Sequence, residues 1–290
     1  MNQFLEYSII GLASGGIYIL GGLGFVLVYK ASNVFNFALG EMMMIGAYFF
    51  FGITVQLHFG MVVGVPIALI GSALLAMAVE RLLLRPVLGR PVIVLVMITF
   101  GLASVLRGLA AIFWSSDVLT MPDFLPRQPI FLGDILIPGK LAWGFVVAMV
   151  LSLSFIAYYR FSRAGISMRA TSSDLVTAAG LGINVHQSFA LTWAISGVLA
   201  SMCGLILASI NGLTPQLGFV VLDIIAVVFL GGISSVGGTV IAGLFIGWLA
   251  TIIGAYLGAN WQSVLPFVVV LLVMMFRPRG LLGEKRIERI

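Results

Sequence analysis

The sequence predicts an all-α fold, a polytopic bundle of transmembrane helices, and three observations carry that reading. Of its 290 residues, 61% are hydrophobic and only 9% charged, against roughly 25% charged in an ordinary soluble domain. Apolar runs close to the ~20 residues that a bilayer crossing needs recur from end to end. The cations, finally, gather in alternate connections between those runs. A water-soluble core of this size could not cover so much apolar surface, so lipid and neighbouring helices must solvate most side chains.

The first run, 7–29, follows the start Met-Asn-Gln-Phe-Leu-Glu, which has neither a basic region nor a small-residue cleavage site, so it is expected to remain as a span. The runs 37–57, 61–79, 92–114, 141–159, 188–210, 219–232, 239–257 and 264–276 follow. The seventh and ninth are short for a full crossing, and the expectation is therefore eight to ten crossings.

Orientation comes from the cations. Lys30, then Arg81, Arg85 and Arg90, then Arg160, Arg163 and Arg169, and finally Arg277, Arg279, Lys285, Arg286 and Arg289 occupy every second connection, which the positive-inside rule places in the cytoplasm. The loop 115–140 mixes Arg127 and Lys140 with Asp117, Asp123 and Asp134 and is expected outside. Nine crossings, with the N-terminus outside and the C-terminus cytoplasmic, satisfy all of these placements. The chain, 1–290, then reads as one transmembrane domain. Pro122, Pro126, Pro129 and Pro138 forbid a continuous helix in the external loop and favour an extended, ordered cap. Trp114, Trp143 and Trp261 fall near span ends, as interfacial aromatics do.

The net charge of +5 is no sign of a nucleic-acid partner, because the cations are few and tied to span ends. Cys203, the single cysteine, lies in an apolar run and reads as a small buried hydrophobe. His58 and His186 fall on opposite sides of the membrane, so they share no metal or catalytic site. Gly139-Lys140 lacks the upstream glycine and the Ser/Thr of a phosphate-binding loop. No serine elbow or His-Glu-x-x-His is present, so an enzyme is not expected.

Charges inside apolar stretches are costly and mark bundle interiors or water-filled paths. Three stand out: Glu41, Arg107 and Asp223. Glu41, preceded by Asn33 and Asn36, reads either as a pathway group or as half of a structural ion pair with Arg107. Arg107 reads as a paired or snorkelling cation, and Asp223 as a solvated residue near the outer end of its span. Glycines cluster at Gly11, Gly15, Gly16, Gly21, Gly22 and Gly24, and again at Gly231, Gly232, Gly237, Gly238, Gly243 and Gly247, which predicts close helix approach. The stretch 231–238 also reads as a tight cytoplasmic reversal, and Met42-Met43-Met44 as packing.

The cytoplasmic segment 160–187 carries helix signals of its own. Ser172 or Ser173 can cap, Asp174 suits a first turn, and Gly180 or Gly182 can end a helix in a left-handed conformation. Thr177, Ala178 and Ala179 would let another surface approach closely, and Arg163 and Arg169 can pair with acidic groups of a cytoplasmic partner.

Four stretches together resemble a known family. Arg163-Ala-Gly-Ile-Ser-Met-Arg169-Ala, with Asp174 and Ala178-Ala-Gly-Leu-Gly-Ile-Asn184, is similar to the coupling segment of permeases from branched-chain amino acid ABC importers, the first of their two permease types. Val34-Phe-Asn-Phe-Ala-Leu-Gly-Glu41-Met-Met-Met-Ile-Gly-Ala-Tyr48, Glu80-Arg-Leu-Leu-Leu-Arg85-Pro, and Gly231-Gly-Ile-Ser-Ser-Val-Gly-Gly238 with the ending Phe276-Arg-Pro-Arg-Gly-Leu-Leu-Gly283 agree, in the same order. The resemblance implies a multi-pass permease of a bacterial inner membrane. It implies a second homologous permease, two cytoplasmic ATP-binding subunits and a periplasmic solute-binding protein as partners, with membrane lipid around them. ATP would be used by the partner subunits, and this chain would hold no cofactor. Arg163, Arg169, Asp174, Ala178, Ala179 and Gly182 would couple to the ATPase.

Alternating access would then carry a zwitterion with an aliphatic side chain, which suits a path with little fixed charge; Asn36, Thr99, Ser104 and Asn211, together with Glu41, are the candidate path residues. Two alternatives stay open. Related permeases carry urea, short amides or aromatic acids. A secondary transporter or channel working alone would need inverted repeats, and no repeat between the two halves is evident.

Overall fold

A computed structural model describes residues 2–283 apart from Leu88 and Asp134, with the side chains of Asn2 and Leu132 left aside; the expectations for Asp134, Lys285, Arg286 and Arg289 lie outside these residues. The helices run α1 (Asn2–Ser32), α2 (Leu39–Phe51), α3 (Met61–Ala78) and α4 (Val92–Trp114), then α5 (Gly139–Phe161), α6 (Arg163–Ser173), α7 (Leu175–Gly180) and α8 (Val185–Asn211), and finally α9 (Val221–Gly231), α10 (Val236–Leu257) and α11 (Ala259–Phe276). α2 continues as a π-helical turn, Gly52–Gln56, and α3 as another, Val79–Leu84. A 3₁₀ turn, Pro215–Val220, leads into α9.

Eight of these helices, counted with their continuations, are long and apolar enough to cross a bilayer. The segment Pro215–Gly231 is the short one. Its six 3₁₀ and eleven α residues rise about 28 Å, close to the ~30 Å hydrocarbon core. The last predicted span is not short after all. α11 begins at Ala259, behind Gly258 with φ 96°, and runs through Pro266.

The chain divides into two compact units. Unit 1 comprises Met1–Val26, Leu125–Met149 and Leu222–Ile290. Its close approaches are made by glycine, as the sequence predicts: no Cβ would fit at Gly15 against the Gly243 carbonyl, or at Gly247 against the Gly15 backbone. Trp248 Nε1 donates to Ser8 Oγ at 3.1 Å on the same seam. Ala226, Val227, Leu230, Ala242, Ile246 and Val270 form the unit's apolar core. Two strands, β1 (Ile130–Leu132) and β2 (Ile135–Ile137), pair antiparallel in the proline-rich stretch, with Ile130 opposite Ile137. The turn 231–238 and the ending 276–283 dock on each other. Leu281 N donates to Leu230 O at 2.8 Å and Leu282 N to Gly231 O at 3.1 Å.

Unit 2 comprises Leu27–Phe124 and Val150–Val221, and α8 is its axis. Both α2 and α3 pack along α8. Small residues set the spacing: Gly204 meets the Met43 carbonyl, Gly46 meets Ser201, and Gly197 meets Ser72 and Ala76. Met42, Met43 and Met44 are all buried, as packing residues should be. Trp114 is the last residue of α4, at the span end where the sequence places it, and its ring stacks on buried Tyr48 with centroids 4.9 Å apart.

Candidate functional site

Glu41 occupies the first turn of α2, and the way the chain reaches it defines the site. After α1, Asn33 takes φ 52° and residues 33–36 are not helical. Asn36 Oδ1 accepts from Ala38 N at 3.1 Å, and its Nδ2 faces Met42 Sδ at 3.6 Å. From α4, the Thr99 hydroxyl lies 3.2 Å from the Phe35 carbonyl and 3.0 Å from that of Val96. Side chains thus hold backbone that no helix satisfies, which is the condition for irregular chain at membrane depth.

A second break approaches the first. Gly212 turns with φ 88° after α8, and the 3₁₀ turn Pro215–Val220 brings the Gly218 carbonyl so close to Gly40 that Gly40 could not carry a Cβ. Gly218 also lies beside the Glu41 carboxyl. Two interrupted spans therefore meet through their glycines, with an acid at the meeting point.

That acid is ion-paired. Glu41 Oε1 accepts from an Arg107 terminal nitrogen, and the Phe219 ring lies 4.0 Å from Arg107 Cζ, covering the guanidinium. Glu41 is only 1% exposed, whereas the Arg107 side chain is 33% exposed. Glu41 Oε2 and Arg107 Nε have no partner. An ion pair removed from water recovers its desolvation cost only when its remaining atoms are satisfied, so this pair is held in an incomplete state.

Of the path candidates, Asn36, Glu41 and Thr99 come together here with Arg107. Ser104 does not: it is exposed and bonds back to Phe100 O at 3.3 Å. Asn211 is the exposed last residue of α8. Gly218 and Phe219 complete the site and were absent from the sequence reading, although Pro215 followed by Gly218 signals a break that a walk by hydropathy passes over. A further pair was also missed. Buried Glu80, 2% exposed, takes both arms of Arg85, at 3.1 and 3.0 Å, across the π-helical turn. Arg85 is therefore more than a topological cation.

The cytoplasmic segment folds as two helices. Ser162 caps α6 by accepting from Gly165 N at 2.9 Å. Ser172 and Ser173 bond back to Arg169 O instead of capping. Asp174 is the cap of α7, its Oδ1 accepting from Val176 N at 2.9 Å and Thr177 N at 3.0 Å, and Gly182 ends the turn with φ 81°. Ala178 is buried and Ala179 exposed. Arg163 opens α6 at its exposed start. Arg169 turns inward, donating to the Tyr159 carbonyl and, at 2.9 Å, to that of Arg160, so it fastens α6 to the end of α5. Three large apolar side chains are exposed on and beside α7: Leu175, Val176 and Leu181, Val176 by 82% and Leu181 by 77%.

A multi-pass bundle in which two broken spans meet at a buried ion pair, and a short capped helix carries exposed apolar side chains, fits a membrane transport protein. The chain belongs to the family described as branched-chain amino acid transport system, permease component, which matches residues 7–274. The high-affinity branched-chain amino acid transport system permease protein LivH of Salmonella typhimurium is 29% identical, over 99% of this chain and 98% of that protein. BraD of Pseudomonas aeruginosa, a permease protein of the same description, is 28% identical over 99% and 98%. A probable LivH of Methanocaldococcus jannaschii is 25% identical over 100% and 95%. The chain is accordingly a multi-pass permease of the bacterial inner membrane.

Proposed function

We propose that this chain, acting as one permease domain, is the membrane subunit of an ATP-driven importer for branched-chain or closely related neutral amino acids. Its partners are a second homologous permease, two cytoplasmic ATP-binding subunits and an external solute-binding protein. ATP is bound and hydrolysed by those subunits, and this chain carries no cofactor. The observation that supports this reading best is α7. Leu175, Val176 and Leu181, on and beside it, are exposed, and its start is held by Asp174.

α7 contacts α6 and α8, and α8 packs along α2, which carries Glu41. A push on α7 is thereby passed through a continuous 27-residue helix to the meeting point of the broken spans. Arg163, Asp174, Ala178, Ala179 and Gly182 form the docking element, and Arg169 keeps it attached to α5. Asn36, Glu41 and Thr99 border the path. When the spans part, the incomplete Glu41–Arg107 pair exchanges partners, and the permease alternates between outward and inward access.

The experiment is purification from membranes followed by identification of the co-eluting subunits and reconstitution into liposomes with the solute-binding protein. Uptake of leucine, isoleucine or valine that stops when the ATPase is inactivated supports the importer; uptake that continues overturns it.

A further inference from the structure

Glu80 and Arg85 are joined twice across the π-helical turn Val79–Leu84. Arg85 N donates to Glu80 O, and Arg85 Nε and Nη2 donate to Glu80 Oε1 and Oε2 at 3.1 and 3.0 Å. The side-chain pair depends on the turn. In an α-helix of 3.6 residues per turn, side chains five apart point about 140° away from each other. The i→i+5 bond of a π turn takes up one extra residue and brings them onto one side. Were the turn to relax, every residue beyond it would advance by one helical place, about 100° and 1.5 Å. Leu84 would then stand beside Glu80, where Arg85 now stands, and Arg85 would stand where Pro86 does.

Burial decides which register holds. The Glu80 side chain is 3% exposed and that of Arg85 29%. A carboxylate so enclosed is costly unless it is paired, and the two-armed guanidinium satisfies both of its oxygens. A regular helix would leave it facing Leu84. The pair therefore holds the turn, and what the turn positions is Leu84, which is buried. Glu80, Leu84 and Arg85 meet Ser32 and Val34, at and just beyond the end of α1, and Phe189 and Trp193, near the start of α8. The gap among them is about 10 Å³, no more than a single water needs, so this is a packed joint and not a solute site. Further along, α3 is fixed to α8 where Gly197 meets Ser72 and Ala76. The register of its last turns thus decides which side chain enters the joint.

We propose that Glu80 and Arg85 are positioning residues for transport. By keeping the end of α3 in π register, they seat Leu84 between the α1–α2 break and the start of α8, so that movement of α8 reaches the break directly. The transport role rests on the importer function and the part of α8 proposed above, whereas the register rests on the pair alone.

The test removes the pair and the extra residue separately. The full chain with its co-purifying subunits, in lipid nanodiscs, carries Leu84→Cys, and its reaction with a water-soluble maleimide is followed; buried Cys203 supplies the background in the parent chain. Position 84 should be protected. Adding Glu80→Met with Arg85→Met, which strands no charge, should expose it, because it moves to the partly open place of Arg85. Deleting Leu82, 71% exposed, from that variant should restore protection, since the shortened segment reaches the same register as a regular helix. The same deletion with the pair intact leaves Glu80 and Arg85 four apart, neighbours on an α-helix, and should keep protection. ATP-driven leucine uptake in liposomes, measured without Leu84→Cys, should fall when the pair is replaced and return with the deletion. Protection that survives loss of the pair, exposure that the deletion does not reverse, or uptake at the parent rate while position 84 is exposed overturns the proposal. Absence of uptake of every neutral amino acid by the parent removes the importer, and the labelling series still decides the register.

Discussion

Glu41 and Arg107 are paired through one carboxylate oxygen, while Glu41 Oε2 and Arg107 Nε remain without partners in the interior. Breaking such a pair costs more than replacing it, because one charge is then left buried alone. Arg107→Met should therefore destabilise the protein by about 3 kcal/mol or less, the low end of that range because a third of the Arg107 side chain is exposed. The double variant Glu41→Met with Arg107→Met should recover most of that loss. Thermal unfolding in detergent measures the stability, and liposome uptake measures the function. Uptake should stay low in the double variant; uptake that returns with stability would make the pair a structural element only.

Gly40 leaves no room for a side chain beneath the Gly218 carbonyl, where the broken spans meet. Gly40→Ala places a methyl against the Gly218 carbonyl and should cost roughly 1–3 kcal/mol through overpacking. Gly101→Ala, on the same scaffold but facing open space, should leave stability within about 0.5 kcal/mol. Parallel melting curves decide; equal loss in both would refute the close approach.

Asp174 caps α7 through its side-chain oxygen. Asparagine caps as well as aspartate, so Asp174→Asn should retain coupling, while Asp174→Ala should lose about 1 kcal/mol of local helix stability. ATP hydrolysis stimulated by the solute-binding protein is the readout, and Asp174→Lys should lower it with membrane insertion unchanged. Equal coupling in all three variants would remove α7 from the pathway of force.

Val176 is 82% exposed, so Val176→Glu should not disturb folding. A charge on this apolar knob should nevertheless detach the ATP-binding subunits on size exclusion. Co-elution at wild-type stoichiometry would show that α7 docks elsewhere or not at all.

Arg169 holds two carbonyls at the end of α5. Arg169→Met removes both donors and should lower the melting temperature, whereas Arg163→Met should leave it unchanged and act on ATPase binding alone. Melting curves of the two variants, compared with their ATPase retention, test this division of roles.

The bundle was legible because hydropathy and cation placement depend on the bilayer alone, which acts on every residue in the same way. Glycine seams such as Gly15 with Gly243 were legible for a similar reason, since only small residues permit that spacing. The pairing of Glu41 with Arg107 could be named because so few charges enter apolar stretches. The break at 215–220 could not, since Leu217, Phe219 and Val220 keep hydropathy high whether the backbone is α or 3₁₀. Glu80 was hidden by its place at a span end, where a charge needs no explanation. The split of the cytoplasmic segment at Asp174 was missed because Ser172, Ser173 and Asp174 all favour caps, and only backbone geometry chooses among them. The outward set Leu175, Val176 and Leu181 was overlooked in favour of the small residues between them.

The Gly15–Gly243 seam carries a consequence for biogenesis. α1 leaves the ribosome about 230 residues before the helix it is shaped to fit, and at 5–20 residues per second that is roughly ten to fifty seconds of synthesis. Through that interval a groove cut for another helix faces lipid or the insertion machinery. A strong glycine-mediated dimerisation of newly made N-terminal segments would compete with correct assembly, so truncated chains ending before residue 236 should self-associate or be held by a membrane chaperone.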